Sequence, residues 1–176
     1  MTTTTLNIRG IYRDVVLGPG GRVEHDGGWV KNTIVTRCRV LLTGFIRNEP
    51  TGGIQYLAVG RGSDTWDTAG IPPSNPDATT DLVQRYATPL PFSELEVAYL
   101  DAADEVQSAP SPRLQVTATL GPGYPAPLSG LRTYPLREFG LFGRLGDVDY
   151  MINSIRHPVI HKDEAATLIR VVRLYF

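Results

Sequence analysis

The chain has 176 residues, enough for one domain with a core of its own. Hydrophobic residues make up 41% and charged residues 20%, a balance too apolar for a disordered chain. A formal net charge of −1, with the two signs interspersed, argues against a dedicated nucleic-acid binder, which needs a basic surface to displace counterions. The partners left open are proteins and neutral ligands.

Gly (18) and Pro (14) are both high, which favours turns over long helices. The single cysteine, Cys38, excludes an intrachain disulfide and a Cys-based metal cluster, so the chain reads as one made in a reducing cytoplasm. No apolar run approaches the roughly 20 residues that span a bilayer. The opening MTTTTLNIRG lacks the basic and apolar regions of a signal peptide.

In chain order, residues 6–25 predict two short strands around the turn Gly18-Pro19-Gly20-Gly21. A helix is expected over about 32–47. Ile34, Val35, Cys38, Leu41, Leu42, Phe45 and Ile46 form its apolar stripe, Asn32 takes the N-cap, and Pro50 with Gly52-Gly53 ends it. Its many β-branched residues mean that packing, not propensity, must hold it. The apolar strand "IQYLAVGRG" follows, and residues 63–81 then form a long loop without periodicity.

Beyond residue 82 the period becomes two. Leu95, Val97 and Tyr99 alternate with polar or small residues, as do Leu114, Val116, Ala118 and Leu120. A second Pro/Gly-rich loop covers about 121–135, and "PLREFGLFG", "DVDYMINSIRH" and "TLIRVVRLYF" read as strands. In the last, Leu168, Val172, Leu174 and Phe176 share one face, while Ile169, Val171 and Tyr175 share the other. An apolar end on Leu174, Tyr175 and Phe176 is expected to be buried in the core or against a neighbouring subunit. The expected fold is mainly β: one domain over 1–176, an antiparallel β-sandwich of about seven to eight strands with one amphipathic helix inserted after the first strands.

Chemistry-bearing patterns are sparse. His157 and His161 lie four apart in "HPVIH", but Pro158 opposes a helix there, and on a strand four residues span roughly 13 Å, too far for one ion. The segment "GRGSDTWD" lacks the Lys-Ser/Thr ending of a phosphate-binding loop and the acidic alternation of a calcium loop. Cys38 lies on the helix stripe as a small core residue, and Glu94 and Glu96 share a solvated strand face. No catalytic, metal or cofactor site is assigned.

Three motifs carry a resemblance. Asn32, Ile34, Val35 and Arg39 belong to the first. Ala58, Val59, Gly60 and Gly62 form the second, and Leu136, Arg137, Glu138, Gly140, Leu141 and Phe142 the third. In this order, ahead of a closing apolar hairpin, they resemble small virion proteins of tailed phages. That group holds tail-collar or tail-fibre adaptor and baseplate-associated proteins, and relatives in phage-tail-like injection particles. The likeness runs from about residue 6 to the end, with a long Pro-rich insertion between Asp81 and Leu131 as a departure. It implies assembly rather than a reaction: a homo-oligomeric ring or trimer in a virion tail, made in the host cytoplasm, that joins tail or baseplate to fibres or adjacent tail proteins. No nucleic acid or membrane insertion is expected.

The residues expected at partner contacts are Trp66 and Tyr124 in the loops, Arg137 and Glu138, and Ile169, Val171, Tyr175 and Phe176 on the last strand. Arg137 and Glu138 point to opposite sides of one strand among apolar neighbours, so one of them is expected to form a fixed ion pair. The competing reading is a host-surface glycan-binding module that stacks sugars on Trp66 and Tyr124.

Overall fold

A computed structural model of the chain describes residues 7–70, 72–126 and 133–176. The strands, in chain order, are β1 (Arg9–Leu17), β2 (Val23–Asp26), β3 (Val30–Ile34), β4 (Thr51–Gly60), β5 (Leu90–Pro91) and β6 (Leu95–Leu100). They continue as β7 (Val106–Gln107), β8 (Arg113–Leu120), β9 (Thr133–Leu145), β10 (Val148–Met151), β11 (Asn153–Asp163) and β12 (Thr167–Tyr175). One α-helix, α1 (Thr36–Ile46), lies between β3 and β4.

The expectation of a mainly antiparallel β fold with a single helix holds. The seven-to-eight-strand sandwich does not: twelve strands join into one sheet that curls into a half-barrel. Its main path runs β5-β4-β9-β11-β3-β1-β12-β8-β6-β7, with β10 added to β9 and β2 to β1. A sandwich needs two sheets with a break in pairing between them, and here the ladder continues through β11, β3 and β1. Irregular registers supply curvature. The pairing of β11 with β9 shifts between Arg156 and Ile160, around Pro158, which has no N–H to give a ladder. The pairing of β4 with β9 shifts twice between Gly52 and Tyr56.

The helix is shorter than its apolar stripe. Asn32 does not cap it but sits in β3 opposite Gly10, and Val35 occupies the cap position without a side-chain hydrogen bond. The β-branched run around Thr33 and Ile34 instead pairs with β11. At the other end Asn48 adopts a left-handed φ of 63°, and its N–H donates to the Phe45 carbonyl. Gly52 and Gly53, expected to break the helix, already belong to β4.

The concave side holds the core. Tyr12 and Val16 from β1, Val116, Ala118 and Leu120 from β8, and Leu168, Val172 and Leu174 from β12 meet Leu57, Leu136, Phe139, Leu141 and Ile155. Because β9 is covered on both faces, it is buried without a break from Leu136 to Gly143 rather than at alternate residues. Its second face packs in a smaller cluster with Val35, Ala58, Leu82 and Met151. Of the loop expected at 121–135, residues 127–132 lie outside the described residues, and Thr133 already starts β9. The loop over 63–81 contains a 3-10 turn at Asp64–Ala69.

Candidate functional site

Two of the three motifs meet in one joint. In the pairing of β4 with β9, Ala58 faces Gly140, Val59 faces Phe139 and Gly60 faces Glu138. The buried Glu138 carboxylate accepts hydrogen bonds from the Val83 and Gln84 N–H groups at 3.0 and 2.8 Å. Gly60 keeps that path open: a Cβ there would lie 2.6 Å from Glu138 Oε1 and 2.8 Å from the Gln84 carbonyl. Arg137 makes the ion pair. Its guanidinium donates twice to Asp67, at 2.8 and 2.6 Å, and once to the Arg61 carbonyl at 2.9 Å. That pairing holds the Asp67 carboxyl below the usual carboxylate range. Gly62, at φ +56, lets the Trp66 ring pack where a side chain would collide with it.

A second polar group lies inside the core, and sequence reasoning missed it. Asp14 and Arg170 are cross-strand neighbours on β1 and β12. The fully buried Arg170 donates from Nε and Nη2 to Asp14 at 2.7 and 2.8 Å. Its Nη2 also lies 3.0 Å from His157 Nε2, and its guanidinium sits 3.6 Å from the Phe139 ring centre. His157 Nδ1 lies 2.8 Å from the Pro158 carbonyl, so Nδ1 carries the proton and Nε2 accepts from Arg170. Burial, then the Arg170 charge, pushes the imidazole down to about 4. The signal was in the alternation: Asp14 lies between Tyr12 and Val16, and Arg170 between Leu168 and Val172, on the inward faces of their strands.

His161, by contrast, is exposed, and the two histidines do not converge. Among the described residues no group of three His, Cys, Asp or Glu side chains is placed to hold a metal ion.

An apolar cleft has a volume of about 550 Å³. It exists because the half-barrel splits. β5 pairs with β4 at Leu57↔Leu90 and Tyr56↔Pro91 only. Pro89 and Pro91 flank Leu90 and bring no N–H to the ladder, and the segment before them meets β4 again at the isolated bridge Gly60↔Arg85. The chain turns through Phe92–Glu94 and pairs instead with β8, from Leu95↔Ala118 to Tyr99↔Leu114. β4 and β6 therefore diverge as the two arms of a V. Thr51–Ile54 and Val97–Tyr99 form the walls, Cys38, Leu41, Leu42 and Phe45 of α1 cover one side, and Leu174 and Phe176 reach it from β12.

Cys38 is buried there, its thiol pushed up to about 11 by burial. Of its lining, Phe45 is 71% exposed and Phe92 50%, and Ile46, next to Phe45 at the end of α1, is 81% exposed. Phe45 and Ile46 lie on the expected apolar stripe yet stay exposed, because a helical stripe shows which face is apolar, not how far the sheet beneath it extends.

Of the residues expected at partner contacts, Phe176 lines this cleft, 38% exposed. Tyr175 is buried, donates to Asp104 at 3.0 Å and carries the Arg9 guanidinium 4.4 Å from its ring centre. Ile169 and Val171 are half-buried on the convex face, opposite Val15 and Arg13 on one side and Thr119 and Thr117 on the other. Trp66 is half-buried, with the Arg156 guanidinium 4.8 Å from its ring centre, and Tyr124 packs on the core and donates to the Thr88 carbonyl at 2.7 Å. Arg137 and Glu138 are buried in the joint described above.

Compared with models of known families, with curated proteins and with solved structures, the chain matches none of them.

Proposed function

We propose that this chain is a non-enzymatic structural component of a phage tail or tail-like particle. It would form a homo-oligomeric ring or trimer that connects the tail or baseplate to fibres or adjacent tail proteins. The observation that carries the reading is the apolar cleft with the partly exposed Phe45, Phe92 and Phe176 in its lining. Contiguous apolar surface of this kind marks a face that other protein covers. The motif resemblance adds support, because two of its short segments form one interlocked joint across β4 and β9 rather than lying apart. A joint whose glycines admit Glu138 and Trp66 builds a rigid frame, which is what an assembly component needs.

The glycan-binding alternative would use the faces of Trp66 and Tyr124, and both rings are already engaged within the chain. No observation favours it.

Light scattering across a concentration range tests the proposal. A defined trimer or hexamer is expected. A monomer at every concentration, together with Trp66-dependent binding to a glycan array, would replace this reading with the module.

A further inference from the structure

The cleft is apolar, and it is also bounded by backbone. On the side away from β9, β4 has no strand partner among the described residues from Thr51 to Gln55. On the side away from β8, β6 has none from Leu95 to Ala98, because β7 reaches only Tyr99 and Leu100. Two strand edges thus face a common gap, each with backbone N–H and C=O groups that a further strand would satisfy. Between these walls the floor is side chain, with Leu114 and Leu174 beside Leu41 and Leu42 of the covering helix.

A compact small molecule would use the floor and leave both edges unpaired. A helix would use the floor and hold its own backbone bonds. An extended segment uses both, since its main chain can ladder onto an edge while alternate side chains drop into the floor.

The geometry points to this cleft as a site for an extended segment of another protein, inserted as an added strand between β4 and β6. The inference rests on the assembly reading above and names the form of the partner there. Charge says more about the segment. From Leu90 to Glu105 the chain carries Glu94, Glu96, Asp101, Asp104 and Glu105 and not one Lys or Arg. Asp104 is paired with Arg113 and Arg173, and Glu94, Glu96 and Glu105 are exposed. The opposite wall, α1, carries Arg37 and Arg39 and no acid. These carboxylates flank the apolar lining on the β6 side rather than forming it, so the complementary segment has apolar residues at alternate positions and Lys or Arg only at its ends.

The test uses the full chain and a synthetic peptide, Lys-Ile-Thr-Val-Thr-Val-Lys, with a control of the same composition in the order Lys-Ile-Val-Val-Thr-Thr-Lys. Hydrogen exchange reads the amides and fluorescence polarisation of the labelled peptides reads affinity. The alternating peptide is expected to slow exchange at residues 51–55 and 95–98 and to bind about tenfold more tightly than the control. Phe45→Glu, at an exposed position, and Glu96→Lys, flanking the lining, should each weaken it by about tenfold.

Equal binding of both peptides, or protection confined to other strands, would overturn the inference. So would protection of the cleft without peptide that disappears on dilution to monomer, since a second copy would then be the cover. The two readings fail separately. A defined oligomer that takes no peptide keeps the assembly proposal and loses this one. A monomer that takes the alternating peptide at the cleft does the reverse.

Discussion

Arg170, Asp14 and His157 form the most demanding group of side chains in the molecule. A buried guanidinium is tolerated because a carboxylate takes two of its donors in a fork geometry and a neutral imidazole takes a third interaction. Removing one partner leaves the other charged and dry. Arg170→Met is expected to destabilise the fold by about 3–5 kcal/mol in urea unfolding, and adding Asp14→Leu should recover a large part of the loss. If the double variant were no better than the single one, the cost would lie in shape rather than in the orphaned charge.

His157 also makes stability depend on pH. Its folded value lies near 4 against an ordinary 6.5, so between those values the unfolded chain binds more protons. Stability is complete above about 6.5 and is lost as the pH falls towards 4. The slope reaches about 1.4 kcal/mol per pH unit and the total is on the order of 3 kcal/mol. His157→Gln keeps an acceptor for Arg170 and has no proton to gain. Chemical denaturation at pH 7 and pH 5 should show a smaller drop for this variant than for the natural chain.

At the scale of elements, the joint between β4 and β9 depends on what is missing at Gly60. A methyl there meets the Glu138 carboxylate and a backbone carbonyl at once, and the carbonyl cannot rotate away. Gly60→Ala is expected to cost about 1–3 kcal/mol and to speed hydrogen exchange at Val83 and Gln84, whose amides Glu138 holds. The helix end gives a smaller effect. Asn48 is left-handed, where Asn is tolerated and Ala is strained, so Asn48→Ala should lower the thermal midpoint by the equivalent of about 1 kcal/mol.

Long strands were legible in the sequence because eight or more residues display a period. β8 alternates in burial from Val116 to Leu120 and β12 from Thr167 to Leu174. The two-residue strands β5 and β7 show none, because so few residues cannot establish an alternation, β10 and β11 read as one strand, and the end of β3 fell within the expected helix. That is why twelve strands read as seven or eight. The helix misjudgement has a different cause: residues 32–34, expected as the helix's first residues, belong to β3, and pairing with β1 and β11 decided it.

For the whole molecule, the deciding feature is incomplete closure. A barrel abolishes its edges by joining first strand to last, whereas this sheet brings its ends together at β5 and then lets them part. The parting leaves an apolar interior in contact with solvent at Phe45, Phe92 and Phe176. If this mouth is the seam of an oligomer, Phe45→Glu combined with Ile46→Glu should lower the mass seen by light scattering towards that of a monomer. An unchanged oligomer would place the seam on the convex face, where Ile169 and Val171 lie half-buried.

The sequence by itself determined the β character, the single helix, the inward face of β12 and the need of Arg137 or Glu138 for a buried partner. These follow from periodicity and from the cost of desolvating charge, both of which are local properties of a strand. Tertiary structure alone decided that the partner of Arg137 is Asp67, that Asp14 and Arg170 meet in the core, and that the sheet curls and splits into a cleft. Each of those depends on which strands become neighbours and in what register. Pairing energy is carried by backbone groups common to every residue, so the pattern along one strand does not specify the strand beside it.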